Sequence, residues 1–229
     1  MLRAAFILAV LAVPALADTA VQMPGVGARY TSEADVTVTP KSGAAAKIHS
    51  VLHYEVIARN GETVETRWQG TSTTPSGQQV PLLGTTTRRL YFVTNIATAA
   101  QPTADKPAST MDRTFVCRPD ALDQFYPHGT SAHVSAACIF TQSTDLGEGQ
   151  SQPVTMNFTD MGPGQVTTKA GTFDVRKIAV QDALDGVSTE TINDFAPAIG
   201  VSVVVDTRGT HPTFEVLNHS EMTEFVPAR

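Results

Sequence analysis

Two adjacent arginines, Arg88 and Arg89, lie inside a β-rich run at residues 85–94, TTTRRLYFVT. Side chains alternate across a strand, so Arg88 shares a face with Leu90 and Phe92. An arginine on the inner face of a curled sheet could bind an anionic headgroup through its planar guanidinium. On an edge strand, the same charge would instead discourage aggregation. Both interpretations are open, and Arg88 is a candidate ligand-binding residue.

Histidines are the other groups in this sequence that could bind a metal or transfer protons. His49 and His53 would share one face of a strand at a separation of about 13 Å, which is too far for one ion. His128 and His133 flank a turn and, with Asp123, form the cluster most suited to acid–base chemistry or ligand binding. The alternative is that they are ordinary polar turn residues. We therefore predict no metal site and keep His128 and His133 as candidate ligand-binding residues.

Sequence motifs for known catalytic machinery are absent. The chain has no Gly-x-Ser-x-Gly nucleophile elbow, no Ser-x-x-Lys, no His-Glu-x-x-His zinc motif and no Walker loop for phosphates. We therefore predict no catalytic residue and no cofactor. A hydrolase whose active-site residues are scattered along the chain stays open, but the balance favours a protein that is not an enzyme.

The first 17 residues have the order of features found in a secretory signal peptide. Arg3 supplies a positive start, residues 4–13 an apolar stretch, and Ala15 and Ala17 a small-residue cleavage site. We predict cleavage between Ala17 and Asp18, giving a mature protein that is soluble in the periplasm or secreted. A membrane-spanning helix needs roughly 20 apolar residues, and this run has about half that number. We therefore predict no membrane-spanning segment.

Two cysteines, Cys117 and Cys138, remain in the mature chain. In an oxidising compartment such a pair most simply forms a disulfide, and closing a loop of about 22 residues would contribute roughly 3 kcal/mol. Two free buried thiols are the alternative. No cysteine follows the cleavage site directly, which argues against a lipid anchor.

The charge of the chain limits its partners. The formal net charge is -6 at pH 7, and the basic residues are scattered along the sequence. Binding of nucleic acid requires clustered Lys and Arg to neutralise phosphates. Nucleic acid is therefore not expected as a partner, and a lipid-like ligand or an envelope protein is left to consider.

A hairpin in the second half anchors the elements that would position these groups. Residues 166–180, VTTKAGTFDVRKIAV, contain two β-rich runs joined through Lys169, Ala170 and Gly171. Glycine can take the positive φ that a tight turn needs. The apolar parity changes beyond Arg176, which predicts a bulge near this point or a strand buried on both faces.

A second hairpin surrounds Asn60 and Gly61. Its apolar pattern favours a three-residue loop with Gly61 in the left-handed region, which pairs Val56 with Val64. Residues 70–84 are rich in Thr, Ser, Gly and Pro and are expected to form an exposed loop.

The chain divides at a segment that is poor in large apolar residues. Residues 99–112 are predicted to link an N-terminal β half, 18–98, to a C-terminal β half, 113–229. One short helix is predicted at residues 119–126, with a proline and an aspartate in its first turn. Elsewhere, short strands alternate with Gly, Asp and Pro turns. This spacing predicts an all-β protein built as an antiparallel curled sheet or half-open barrel, with two similar halves as an option.

Three segments resemble a broad group of uncharacterised exported bacterial proteins: LDQFYPHG at 122–129, AGTFDVRKI at 170–178 and DFAPAIGVSV at 194–203. The resemblance covers the second half of the mature chain. It implies an antiparallel half-open barrel of the kind seen in lipoprotein-sorting carriers, and it implies no activity. This chain differs from many such proteins in lacking an anchoring cysteine and in having Phe195 and Ala196 where Trp-Tyr or Tyr is common.

Three functions fit these observations. The first is an exported β-module that binds an apolar or amphipathic ligand or an envelope protein. The second is a structural envelope component without a ligand, and the third is the hydrolase without a recognisable motif. We predict the first. The deciding feature is whether the inner face of the sheet encloses an open cavity or a filled core.

Overall fold

The structure is a computed structural model and describes residues 20–100, 109–117, 123–144, 147–184 and 186–229. The predicted signal peptide, most of the predicted linker and the first half of the predicted helix lie outside these ranges. Within them, no helix is both long enough and apolar enough to cross a membrane.

The described chain folds as twelve strands: β1 (Arg29–Pro40), β2 (Ala46–Asn60), β3 (Thr63–Thr73), β4 (Gln79–Arg89), β5 (Phe92–Ala100), β6 (Ser109–Cys117), β7 (His133–Thr144), β8 (Gly147–Thr168), β9 (Gly171–Leu184), β10 (Val187–Ala196), β11 (Val201–Thr210) and β12 (Phe214–Val226). Each strand pairs antiparallel with the next, and β1 pairs with both β2 and β12. The all-β antiparallel prediction is confirmed, and the sheet closes completely into a barrel.

Alternation of side chains along each strand gives the barrel an inner and an outer face. In β3, Val64, Thr66 and Trp68 are buried, whereas Arg67 and Gln69 between and beyond them are exposed. This is the period of two that a pleated strand imposes. Because the sheet is closed, the inner side chains of all the strands converge on one enclosed space.

Aromatic side chains close one end of the barrel, which we call the capped end. Successive strands run in opposite directions, so the turns after β2, β4 and β10 lie at this same end. Here the ring of Tyr91 lies edge-on to Phe125 and Phe195, with centroids 6.1 Å and 5.7 Å away. The Tyr91 hydroxyl donates to the Tyr126 carbonyl at 2.9 Å. Phe125 and Tyr126 belong to the described half of the predicted helix, but residues 124–128 form turns and a bend, so no helix extends through Tyr126.

The β8–β9 hairpin confirms the turn predicted around Lys169 and Gly171. Beyond Arg176, β9 is buried on both faces, because Ile178, Ala179 and Val180 are all buried. The bulge lies in the partner strand, where β8 has a register shift between Asp160 and Gly162, opposite Lys177. Gly162 takes a φ of 95° there, a value that favours glycine. A bulge bends its strand, so the far half of this hairpin departs from the direction of the barrel wall.

Ion pairs and a small apolar core fix the tip of this hairpin against β1 and β12. The Lys169 ammonium lies 2.6 Å from Glu33 Oε2, and the Lys169 amide donates to Glu221 Oε1 at 2.9 Å. Val175 at the base of the tip belongs to the same buried cluster as Met222. The hairpin is therefore part of the packed barrel and not a free flap.

The predicted register of the β2–β3 hairpin is wrong. The turn consists of Gly61 and Glu62, and Val56 lies opposite Thr66 instead of Val64. A bulge directly after Val56 adds a residue to β2, which lets a two-residue turn keep the apolar side chains inside. An inserted residue of this kind can be assigned only when both strands are paired.

Two further elements differ from the prediction. The segment 70–84 is not one exposed loop, because β3 continues into it and β4 begins within it.

The run at 85–94 is not one strand, because Leu90 and Tyr91 turn the chain, with Leu90 at a φ of 56°. A leucine rarely adopts this conformation. Burial of the Leu90 side chain, which is 5% exposed, explains how packing holds it there.

Cys117 and Cys138 form the predicted disulfide. They face each other directly in β6 and β7, and Cys138 is buried. The bond therefore joins two neighbouring strands of the barrel wall. Its expected contribution to the free energy of unfolding is about 3 kcal/mol, through the smaller entropy of the cross-linked unfolded chain.

Candidate ligand-binding cavity

The inner faces of the strands enclose a cavity of about 480 Å³ to which every strand except β7 contributes. Aromatic and aliphatic side chains form the larger part of its wall: Tyr54, Phe92, Ile96, Phe115, Met156 and Val180. Hydroxyl and amide groups form much of the rest: Ser32, Thr66, Thr86, Thr191, Asn193 and Asn218. The barrel interior thus contains both an open cavity and a packed core that includes Phe125, Phe158 and Ile178.

Arg88 is the one cation in this wall among the described residues. It lies one residue before the end of β4, close to the capped end, and is 7% exposed. Its Nη1 donates to the Leu90 carbonyl at 2.5 Å. Its Nε and Nη2 are buried and have no hydrogen-bond acceptor in the described part of the chain. Because β4 has a neighbour on each side, Arg88 is an inner residue and not an edge charge.

The electrostatic environment of Arg88 is unusual for a buried charge. Burial lowers the pKa of its guanidinium, and the neighbouring Tyr30 hydroxyl opposes this shift. The Tyr30 hydroxyl stabilises the charged guanidinium through its electrostatic and hydrogen-bonding interaction with it, but neither Nε nor Nη2 has a partner in good hydrogen-bonding geometry among the described residues. Removing a charge from water without a counter-ion costs several kcal/mol. Within the described part of the chain, no carboxylate compensates the charge of Arg88.

Two stacked tyrosines lie beside this charge. The rings of Tyr30 and Tyr54 are 4.6 Å apart and nearly parallel. Burial raises the pKa of both phenols, and for Tyr30 the charge of Arg88 and the Thr66 hydroxyl partly oppose the increase. Both phenols are therefore protonated at neutral pH. They give the cavity flat apolar surfaces with hydroxyl groups that can donate.

Asp182 is the acidic group of the cavity wall. It lies near the end of β9 that is distant from the capped end. Burial raises the pKa of its carboxyl, and no cation in the described part of the chain is paired with it. The cavity thus has a cationic group near the capped end and an acidic group farther along its length.

The single tryptophan of the chain lies next to the cavity. Trp68 is 8% exposed, and its Nε1 donates to the Thr86 hydroxyl at 3.0 Å. The indole lies over Gly84, where an added Cβ would be 2.4 Å from the ring. Since Thr86 belongs to the cavity wall, the fluorescence of Trp68 is a natural reporter of ligand entry.

His128 and Asp123 do not line this cavity. They belong to a network on the outside of the capped end, where His128 Nε2 lies 2.5 Å from Glu62 Oε1. Arg89 donates to Asp123 at 2.5 Å and to Glu62 at 3.3 Å. Of the two adjacent arginines, Arg89 is therefore held by carboxylates, and Arg88 alone faces the interior.

The remaining histidines in question lie on the outer face. His133 shares a hydrogen bond of 3.0 Å with the Thr159 hydroxyl. Its partner thus differs from that of His128, which is Glu62. His49 is 2.9 Å from Asp35, and His53 is also exposed. Within the described ranges, no group of three or more His, Cys, Asp or Glu is arranged to hold a metal ion.

Reasoning from the sequence identified Arg88 but missed Tyr30 and Asp182. A usable signal existed for Asp182, because it has the same parity in β9 as the buried Ile178 and Val180. An acidic residue on an otherwise apolar face is uncommon. No comparable signal existed for Tyr30, because β1 and β4 are separated by two strands and only the curvature of the sheet brings their inner faces together.

No family model matches the sequence, and no curated protein does. Three solved structures are similar in fold. The hypothetical lipoprotein YmcC from Escherichia coli (K12) has 7% identity and a TM-score of 0.42, over 87% of this chain and 86% of that one. A predicted lipoprotein from Parabacteroides distasonis has 14% identity and a TM-score of 0.42, over 91% and 100%. A predicted exported protein with a YmcC-like fold from Bacteroides fragilis has 14% identity and a TM-score of 0.43, over 90% and 99%. Identities this low transfer no ligand or activity to this chain.

Proposed function

We propose that this protein is an exported barrel that binds one apolar or amphipathic small molecule in its interior. The cavity of about 480 Å³ is the observation that carries the proposal. Protein interiors normally contain few voids larger than a water molecule. Ligand pockets have volumes of about 300–1,000 Å³ and mostly apolar walls with a few placed polar groups. The interior of this barrel has that size and that composition.

The distribution of groups in the wall favours an amphipathic ligand. Phe92, Phe115 and Met156 supply apolar surface, whereas Arg88 supplies a single buried charge. Burial of a ligand's apolar portion gains about 25 cal/mol for each Å² removed from water. A polar group on the same ligand would satisfy the buried donors that the protein leaves unpaired.

Export is supported by the signal-peptide pattern of residues 1–17 and by the disulfide between Cys117 and Cys138. Disulfides persist in oxidising compartments and are rare in the cytosol. Expression of the full chain with fractionation of the cells tests this part of the proposal. The expected result is a periplasmic or secreted product whose intact mass corresponds to a chain starting at Asp18. A cytosolic product of full-length mass would contradict it.

Binding can be tested with N-phenyl-1-naphthylamine, a neutral fluorescent probe. Val205 lines the cavity, so Val205→Phe should fill part of it and weaken binding of the probe by about tenfold or more. Leu217, on β12, is 47% exposed, so Leu217→Phe is the matched control and should bind as the wild type does. If the wild type does not bind the probe, or if Val205→Phe binds it equally well, the cavity is not the binding site.

Native mass spectrometry gives an independent test of occupancy. Protein purified from cells without delipidation should carry an added mass of small-molecule size, and the same protein refolded from urea should not. Val205→Phe should show less of this mass than Leu217→Phe. A spectrum of the unliganded chain alone, from every preparation, would count against a resident ligand.

A further inference from the structure

The two unpartnered nitrogens of Arg88 lie on the same edge of its guanidinium. Nη1 is held by the Leu90 carbonyl at 2.5 Å, which leaves Nε and Nη2 without an acceptor among the described residues. In a planar guanidinium, the N–H groups of Nε and one Nη are parallel and match the two oxygens of a carboxylate. The contact with Leu90 therefore fixes the side chain so that its two-donor edge is the part left for a ligand.

The same edge is occupied in another arginine of this barrel. Arg176 donates from Nε to Asp160 Oδ1 at 2.7 Å and from Nη2 to Asp160 Oδ2 at 2.5 Å. This is the side-on, two-oxygen contact that the Arg88 edge would make with an equivalent group. The protein supplies a carboxylate to Arg176, and the described part of the chain supplies none to Arg88.

The charges in the cavity favour a ligand with one negative charge. Arg88 is the one cation among the described lining residues, and it can neutralise a single anion. Asp182 lines the same cavity and, when ionised, would repel any additional negative charge. A dianionic phosphate monoester is therefore less suitable than a carboxylate.

We propose that Arg88 binds the carboxylate of a single-chain amphiphile through Nε and Nη2, with the apolar chain lying along the cavity. This inference rests on the proposed function, since it requires the cavity to accept a ligand. A volume of about 480 Å³ is in the lower part of the range of about 300–1,000 Å³ for ligand pockets. This size suits one acyl chain better than a lipid with several.

The test compares dodecanoic acid with dodecan-1-ol, which has the same chain length but no charge. Binding is measured at pH 8 by the fluorescence of Trp68 and by calorimetry, with protein refolded from urea to remove bound ligand. The wild type should bind the acid about tenfold or more tightly than the alcohol. In Arg88→Met this preference should disappear while binding of the alcohol is retained, which shows that the cavity is intact. In Arg88→Lys, which keeps the charge but lacks the parallel donors, the preference should be reduced.

Arg67→Met is the matched control, because Arg67 lies on the outer face of β3, 2.8 Å from Glu55. This variant should keep the wild-type preference. Equal binding of acid and alcohol by the wild type, or a preference that survives in Arg88→Met, would overturn the inference and leave the proposed function standing. Failure of both ligands to bind would overturn the proposed function itself. Dodecyl phosphate provides the last arm, and tighter binding of it than of the acid would reject the carboxylate.

Discussion

Arg88 and Arg176 both lie on strands of the barrel next to a tyrosine, but only Arg176 is paired with a carboxylate among the described residues. Each lies near an aromatic ring, Arg88 beside Tyr30 and Arg176 over Tyr126 at 5.0 Å from the ring centroid. Arg176 has its Nε and Nη2 bound by both oxygens of Asp160. Arg88 lines the cavity, and its two corresponding nitrogens are buried without an acceptor in the described part of the chain.

The difference separates a structural charge from one that is available to a ligand. A buried ion pair with good geometry recovers the cost of desolvation, whereas a lone buried charge does not. The Arg176 pair also holds the β8 bulge, because Asp160 Oδ1 accepts from the Gly162 amide at 2.9 Å. Arg88 also bonds the backbone, through the carbonyl of Leu90, whose φ is 56°. Four predictions test this contrast.

The largest effect is expected from Asp160→Ala, which removes the carboxylate from Arg176 and the acceptor from the β8 bulge. The variant loses the two-oxygen contact with Arg176, in a part-buried pair whose side chains are 25% and 10% exposed, and the hydrogen bond from the Gly162 amide, so the free energy of unfolding should fall by about 3 kcal/mol. Urea denaturation followed by circular dichroism measures it. Asp174→Ala is the control, since Asp174 is an exposed residue of the same hairpin, and should change stability by less than about 0.5 kcal/mol. Equal losses in the two variants would show that the Arg176 pair is screened by solvent.

A carboxylate placed opposite Arg88 should make it resemble Arg176. Val93 faces Arg88 directly in the β4–β5 pairing and lines the cavity. Val93→Asp should therefore be tolerated in the wild type but strongly destabilising in an Arg88→Met background, with a coupling of about 2 kcal/mol in a double-mutant cycle. Asn has the same shape as Asp but no charge, so Val93→Asn is the control and should show little coupling with Arg88. A coupling near zero for Asp would mean that Arg88 already has a partner.

Arg88→Met by itself should raise the stability of ligand-free protein by about 1 kcal/mol, because an apolar side chain replaces an unpaired charge. Urea denaturation of refolded protein tests this, with Arg67→Met as the exposed control that should have an effect of less than about 0.5 kcal/mol. A loss of 2 kcal/mol or more, on the order of that expected for a broken buried pair, would show that Arg88 has a structural role like that of Arg176.

The smallest effect is expected at Asp182, and it depends on pH. Burial raises the pKa of this carboxyl above the value of about 3.9 in unfolded chains. Between the pKa of the unfolded chain and the higher pKa of the folded protein, the folded state binds more protons than the unfolded state. The free energy of unfolding therefore decreases as the pH rises through this range. Asp182→Asn should therefore be more stable than the wild type at pH 7, by less than about 1 kcal/mol because the group is partly exposed, and indistinguishable from it at pH 3. A difference that is larger at pH 3 would have the wrong sign.

The sequence carried much of the local structure of this barrel. The turn at Lys169 and Ala170 and the pairing of Cys117 with Cys138 were both predicted correctly. These features depend on turn chemistry, on a period of two and on redox compartment, each of which can be assigned within a short stretch of chain. The inward direction of Arg88 followed from the same parity, as one of two open interpretations.

Tertiary structure alone decided which groups meet. The register of β2 with β3 depends on a bulge after Val56, and such an insertion is invisible until two strands are paired. Curvature of the sheet across β1 to β4 brings Tyr30 next to Arg88, and pairing of β1 with β12 closes the barrel around the cavity. A strand pattern states which face a side chain is on, but its partners come from strands that are distant in sequence. For that reason the sequence placed both Arg88 and Arg176 in β-rich runs, and only the fold decided that Arg176 has a carboxylate partner whereas Arg88 lines a cavity.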